Sequence, residues 1–146
     1  MKIGADNIIS GMPGQTGYPR VDSQELSEGV VEFGRVVIPG TTAQQLKPMA
    51  LVTDSPVGIA LFDNYAQEVS EADQYGDGVS MSYRKQGTVK LKLGEAVEKH
   101  DLLSVSADGK TFFKKDNAGK ANIPARALES GVLGDIIEVY VDFLTL

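Results

Sequence analysis

Cysteine is absent from the 146 residues. Disulfides, thiolate zinc sites and cysteine nucleophiles are therefore out of consideration. Histidine occurs once, at His100, so a metal centre built on several histidines and the two-histidine helix motif of zinc proteases are excluded too. Tryptophan is also missing. An aromatic platform for a sugar would have to come from five Tyr and five Phe, and Phe33, Phe62 and Phe143 stand in apolar surroundings that read as core. No stretch approaches the ~20 apolar residues of a membrane helix. Residues 1–20 carry no long apolar run behind a basic start, so no signal peptide is expected and synthesis in the cytosol is.

Positive charge is scarce as well. Fourteen Lys and Arg face twenty Asp and Glu, giving a net charge of −6 and a sequence pI near 4.7, a balance that argues against nucleic-acid binding as the main task. The basic residues are also unevenly placed. Residues 84–120 hold nine of them against five acids, and the rest of the chain holds five against fifteen. The plain reading is solvated strand faces; the sharper one is a docking face for an acidic partner.

Glycine, by contrast, is plentiful at 16 residues, which suits a fold of many tight turns. The length fits one domain with a true core. Residues 1–28 differ in character from the rest of the chain. Gly11-Met12-Pro13-Gly14-Gln15-Thr16-Gly17-Tyr18-Pro19 is rich in breakers, Asp22–Glu28 is polar, and no regular element fits beyond a turn of helix near Ser23–Leu26. This part reads as an N-terminal arm, extended or partly disordered. Its apolar residues Ile3, Ile8, Ile9, Met12 and Tyr18 give it something to bury on a neighbour.

From Gly29 the signal is strands, and residues 29–146 read as the β-domain. Val30–Ile38 is β-branched and ends at Pro39-Gly40. Met49–Val52 and Gly58–Phe62 are short apolar runs, and Glu68–Gly78 is an acidic loop. Val79, Met81 and Tyr83, then Val89, Leu91 and Leu93, alternate with polar residues as two strands about a turn at Gln86-Gly87. Lys90 and Lys92 would point to solvent. Asp108-Gly109 between two apolar runs predicts a hairpin. Ile123–Leu128, broken by Pro124, reads as a short strand at an edge or with the proline at its start, and Ile137–Phe143 alternates cleanly. Gly94–His100 is the one candidate helical turn.

The chemistry-bearing motifs fail one by one. His100 lies in a charged turn, and no Gly-x-Ser-x-Gly elbow accompanies it for a Ser-His-Asp hydrolase. Asp73 as the first residue of an EF-hand loop puts Arg84 where a bidentate Glu is required, leaving only a loose carboxylate set of Glu71, Asp73 and Asp77. Gly119-Lys120 has Lys114 in place of the upstream glycine of a phosphate loop, and Ala121 where Ser or Thr belongs.

Five segments carry a resemblance. Gly94-Glu95-Ala96-Val97-Glu98-Lys99-His100-Asp101-Leu102-Leu103-Ser104-Val105-Ser106-Ala107-Asp108-Gly109-Lys110 is similar to a stretch of phage structural cement proteins. There a strand ends at Gly, a turn of the type Ala-Val, small, Gly-Asp-Leu comes next, and a strand leads into an Asp-Gly-Lys hairpin; His100 replaces the usual small residue or Gly. Ile123-Pro124-Ala125-Arg126-Ala127-Leu128-Glu129-Ser130 resembles the family's Gly-Arg-Ala-Leu-Glu strand, with Ala125 for Gly. Gly134-Asp135-Ile136-Ile137-Glu138-Val139-Tyr140-Val141 resembles its last strand, and Gly34–Val37 and Gly58–Leu61 stand in the family's order. The likeness spans about residues 29–146.

The resemblance implies an all-β fold, a small jelly-roll-like sandwich or barrel with an extended N-terminal arm. It further implies a capsid decoration protein on the outer surface of a phage head. Such a protein acts as a homotrimer on the major capsid protein, with no enzymatic activity and no cofactor; from the charge balance, hydropathy and failed motifs above, no catalytic residue, metal, nucleic-acid partner or membrane partner is expected either. The residues expected at the capsid or a neighbouring copy are Ile8, Ile9, Met12 and Tyr18 of the arm, with Lys90 and Lys92. The alternatives are a virion fibre base or host-surface glycan adhesion module and, more remotely, a hydrolase using His100.

Overall fold

β-branched and alternating segments condense into strands almost throughout the computed structural model, which describes residues 8–15 and 17–144. In chain order the elements are β1 (Val21–Ser27), β2 (Val31–Glu32), β3 (Val36–Pro39), β4 (Gln45–Pro48), β5 (Gly58–Ala60), α1 (Asn64–Ser70), β6 (Gln74–Tyr75), β7 (Ser80–Lys92), β8 (Leu102–Val105), β9 (Phe112–Lys114), β10 (Ala121–Ala127) and β11 (Ile136–Asp142). The all-β expectation holds. Among the described residues no helix is long and apolar enough to cross a membrane.

One sheet runs β1-β4-β3-β5-β7-β11-β10-β8-β9, and β1 also pairs with β7. That extra pairing closes β1, β4, β3, β5 and β7 into a ring. On the other side, a parallel bridge from Leu93 to Phe112 and a 2.7 Å bond from the Gly94 N–H to the Phe112 carbonyl bring β9 back to the end of β7. The molecule is thus two small closed β-structures sharing one long strand, which leaves few free edges.

Strand β7 is continuous where a turn at Gln86-Gly87 was expected. Residues 80–86 pair with β1, and residues 86–92 pair with β11. The change of partner falls on Gly87, whose φ of +136° bends the strand where a side chain would be strained. The apolar run Val36-Val37-Ile38 has a similar explanation. Val36 and Ile38 enter one core with Leu91, Phe112 and Val139, while Val37 enters the other with Phe33, Tyr75 and Met81. β3 is buried on both faces and so does not alternate. The longer strand read at Val30–Ile38 is broken by the bend at Phe33–Arg35.

Three further expectations change. Residues 21–27, read as part of the arm, form β1 within the main sheet, because their polar side chains need only one covered face. β10 is an interior strand between β11 and β8. Its Pro124 falls in the register shift between Asn122 and Arg126, a bulge that needs no N–H from it. Gly94–His100 is turn, not helix, and the one helix among the described residues is α1. Asp63 caps α1, its Oδ1 accepting the Ala66 N–H at 2.9 Å, as expected of an aspartate at that position.

Candidate functional site

The stretch ahead of β1 is laid along β7. The Gly11 N–H donates to the Lys90 carbonyl at 2.7 Å, the Lys90 N–H to the Met12 carbonyl at 2.9 Å, and the Gly14 N–H to the Thr88 carbonyl at 3.1 Å. Pro13 bridges Val89 antiparallel. β11 occupies the opposite edge of β7 over the same residues, so residues 11–14 cover an edge that would otherwise invite another strand.

Side chains lock this strap. Glu138 accepts the Gln15 N–H on Oε2 at 3.0 Å and holds Lys90 Nζ on Oε1 at 3.0 Å. The Thr88 hydroxyl donates to the Gln15 carbonyl at 2.5 Å. The Tyr18 ring leans on Tyr140, centroids 5.4 Å apart. Gly14 has no substitute here, since a Cβ would sit 2.2 Å from Glu138 Oε2 and 2.8 Å from the Thr88 side chain.

Where the strap becomes β1, Arg84 is buried at 3% exposure. It holds Asp22 through both arms of its guanidinium, Nε to Oδ1 at 2.8 Å and Nη2 to Oδ2 at 3.0 Å. Nη1 donates to the Thr88 carbonyl. A planar fork on a carboxylate is the strong form of this contact.

Of the residues expected from the sequence to meet a partner, Ile9 packs against the core that contains Phe33 and Tyr75. Met12 is half-buried, its sulfur accepting the Ile9 N–H at 3.4 Å. Ile8 lines a shallow hollow beside Glu129 and Ile136, Tyr18 is exposed, Lys90 is paired, and Lys92 is exposed opposite Ile136. Ile8, Met12, Tyr18, Lys90 and Lys92 lie around the β7–β11 face, whereas Ile9 belongs to the other core, and Ile9, Met12 and Lys90 are already committed within the chain. Ile3 lies outside the described residues.

The basic segment is partly neutralised in the same way. Arg84 takes Asp22, Lys90 takes Glu138, and Lys110 takes Glu32 at 2.8 Å. Lys120 sits over the Phe113 ring at 4.6 Å. Among the described residues, no group of three or more His, Asp or Glu is placed to hold a metal. Asp73 accepts from the Gln67 amide at 2.6 Å and Asp77 from the Gly29 N–H at 2.8 Å. His100 is an exposed turn residue with φ of +79°.

Other carboxylates pin loops and are held below their ordinary range for it. The Thr41 N–H and hydroxyl lower Glu28, and the Ala50 and Leu51 N–H groups lower Asp54. The Lys114 N–H and the Asn117 amide lower Glu95. For Glu32, burial pushes upward but bonds from Lys110 and Arg35 outweigh it. For Asp108, burial is likewise outweighed, by the Ser106 hydroxyl and the Lys110 N–H.

What sequence reasoning missed is the face of α1. Tyr65 and Val69 stand 76% and 61% exposed, one turn apart beside a concavity. The signal was there in Asp63, a capping residue ahead of Asn64–Ser70.

The family model described as "Structural cement protein (E217 gp24/Pam3 gp6)" matches residues 4–142. A chain in the capsid of Myoviridae Phage XM1 superposes with a TM-score of 0.72 at 16% identity, covering 92% of this chain and 90% of that one. The head fiber gp8.5 N base of bacteriophage phi29 superposes with a TM-score of 0.53 at 12% identity, covering 88% and 98%. No curated protein matches the sequence.

Proposed function

The chain belongs to the structural cement protein family, and we propose that it decorates the outer surface of an expanded phage head and stabilises it by bridging neighbouring major capsid subunits. The observation that carries this reading is the family match over nearly the whole chain. In the proposal the protein acts as a homotrimer without catalytic activity or cofactor. Tyr18 and Lys92, the exposed members of the β7–β11 face, reach the capsid or a neighbouring copy. Ile8, Ile9, Met12 and Lys90 seat the strap that presents them.

The physics of the role is linkage. A ligand that binds only the expanded shell stabilises it by mass action, and weak copies that bridge several subunits gain by avidity. A protein for that task needs a rigid body with covered strand edges, and the two closed β-structures supply one. Adding the purified protein to expanded, undecorated heads should raise the temperature at which they release DNA. Sedimentation of the free protein should give three times the monomer mass. An unchanged release temperature at saturating protein would remove the stabilising role.

The likeness to a head fibre base favours a second reading, a virion fibre base or host-surface adhesion module. Binding to surface glycans without binding to heads would select it.

A further inference from the structure

We propose that the concavity beside α1 is the protein's docking groove for a basic partner segment, one that inserts an apolar side chain flanked by Lys or Arg. The inference rests on the capsid-binding reading and names the surface and the chemistry by which the shell is held.

The groove has a volume of about 500 Å³ and lies between α1 and the start of β7. Its floor is apolar, with Ala66 and Val79 set among Tyr65 and Val69. On this seven-residue helix, two large apolar side chains four positions apart stand exposed beside the groove. A patch of this kind rimmed by polar groups marks an interaction site.

The charge around it decides the partner. Between Lys47 and Arg84 the chain has no Lys or Arg and carries Asp54, Asp63, Glu68, Glu71, Asp73 and Asp77. Asp63 and Asp77 line the groove itself. Each uses Oδ1 to accept a backbone N–H, from Ala66 and Gly29 respectively, which fixes the carboxylate at the groove's rim. Arg20, which lines the adjoining depression, is paired with Asp22 at 3.1 Å. An acidic segment would be repelled here and a purely apolar one would leave the rim unmatched. A basic, apolar-anchored segment satisfies both floor and rim.

The test measures binding to expanded, undecorated heads for four forms: wild type, Val69→Asp, the double variant Asp63→Asn with Asp77→Asn, and Ala118→Asp as a control in the exposed turn between β9 and β10. Asn keeps the helix cap and the Gly29 contact, and Val69 is exposed, so these variants retain the fold; melting curves verify it, and Tyr65→Ala stands in if Val69→Asp fails to fold. Val69→Asp should weaken binding at least tenfold, on the order of a hot-spot loss. The Asn pair should weaken it several-fold at low salt and flatten its salt dependence. Ala118→Asp should bind as wild type. Wild-type binding with unchanged affinity in both groove variants would overturn the groove and leave the cement reading standing. Absence of wild-type binding would overturn both.

Discussion

Replacing Asp22 with Ala should destabilise the protein more than its position on a partly exposed strand suggests. The substitution removes a carboxylate that is itself 24% exposed but strands the guanidinium of Arg84, which is 3% exposed. Breaking a buried pair by deleting one partner costs about 3–5 kcal/mol. The retained bond to the Thr88 carbonyl and the water that reaches Asp22 bring this to about 2–3 kcal/mol. For a chain of this size each kcal/mol moves the midpoint by roughly 2–4 °C, so the melting temperature should drop by about 5–10 °C. Arg20→Ala, which removes the exposed pair to the same carboxylate, should cost about 0.5 kcal/mol or less. Adding Arg84→Met to Asp22→Ala should recover most of the loss, because an apolar side chain of similar length no longer needs a counter-charge. Circular dichroism melts and urea titrations of wild type and the three variants measure these differences. A loss under about 1 kcal/mol for Asp22→Ala would mean that Arg84 is solvated and that Asp22 does not anchor the start of β1.

Gly14→Ala should lift the strap, since its Cβ collides with Thr88 and Glu138; hydrogen exchange at the Gln15 and Lys90 amides should speed up by tenfold or more, and unchanged protection would refute the close approach. His100→Gly should stabilise the fold by up to about 1 kcal/mol, the relief of a left-handed backbone outweighing the added chain entropy, and a lower melting temperature would contradict this. Five carboxylates (Glu28, Glu32, Asp54, Glu95 and Asp108) are lowered in the folded state. Their contribution is therefore complete above the unfolded-state range near pH 4–5 and is lost as pH falls through the folded values. The urea midpoint should hold between pH 7 and 5 and fall steadily below 4, whereas equal midpoints at pH 7 and 3 would rule the pinning out.

Much of the β-domain was legible because its strands are half-buried and alternate, as in Ile137–Phe143 and Val89–Leu93. The Asp108-Gly109 hairpin was legible through its turn chemistry. The resemblance at Gly94–Lys110 even flagged His100 as the residue standing where Gly or a small residue is usual, and its φ of +79° gives the reason. What failed did so where tertiary pairing overrides local pattern. Residues 21–27 have no apolar face of their own, yet β7 offers them an edge and Arg84 a charge to meet. Gly87 looked like a turn because glycine serves a turn and a bend equally. The basic cluster at 84–120 was read as solvated strand faces or a docking face; three of its members pair with Asp22, Glu32 and Glu138 outside that stretch, and pairing across the fold is invisible to a count along the chain. The α1 groove was hidden because its apolar floor is assembled from Tyr65, Val69 and Val79, none of which forms a run.

The measurement that tests the central claim most directly is cosedimentation of the purified protein with expanded, undecorated phage heads and, in parallel, with compact precursor heads. The account predicts saturable binding to the expanded heads alone, with stoichiometry in multiples of three. Equal binding to both shells, or none to the expanded one, would contradict it.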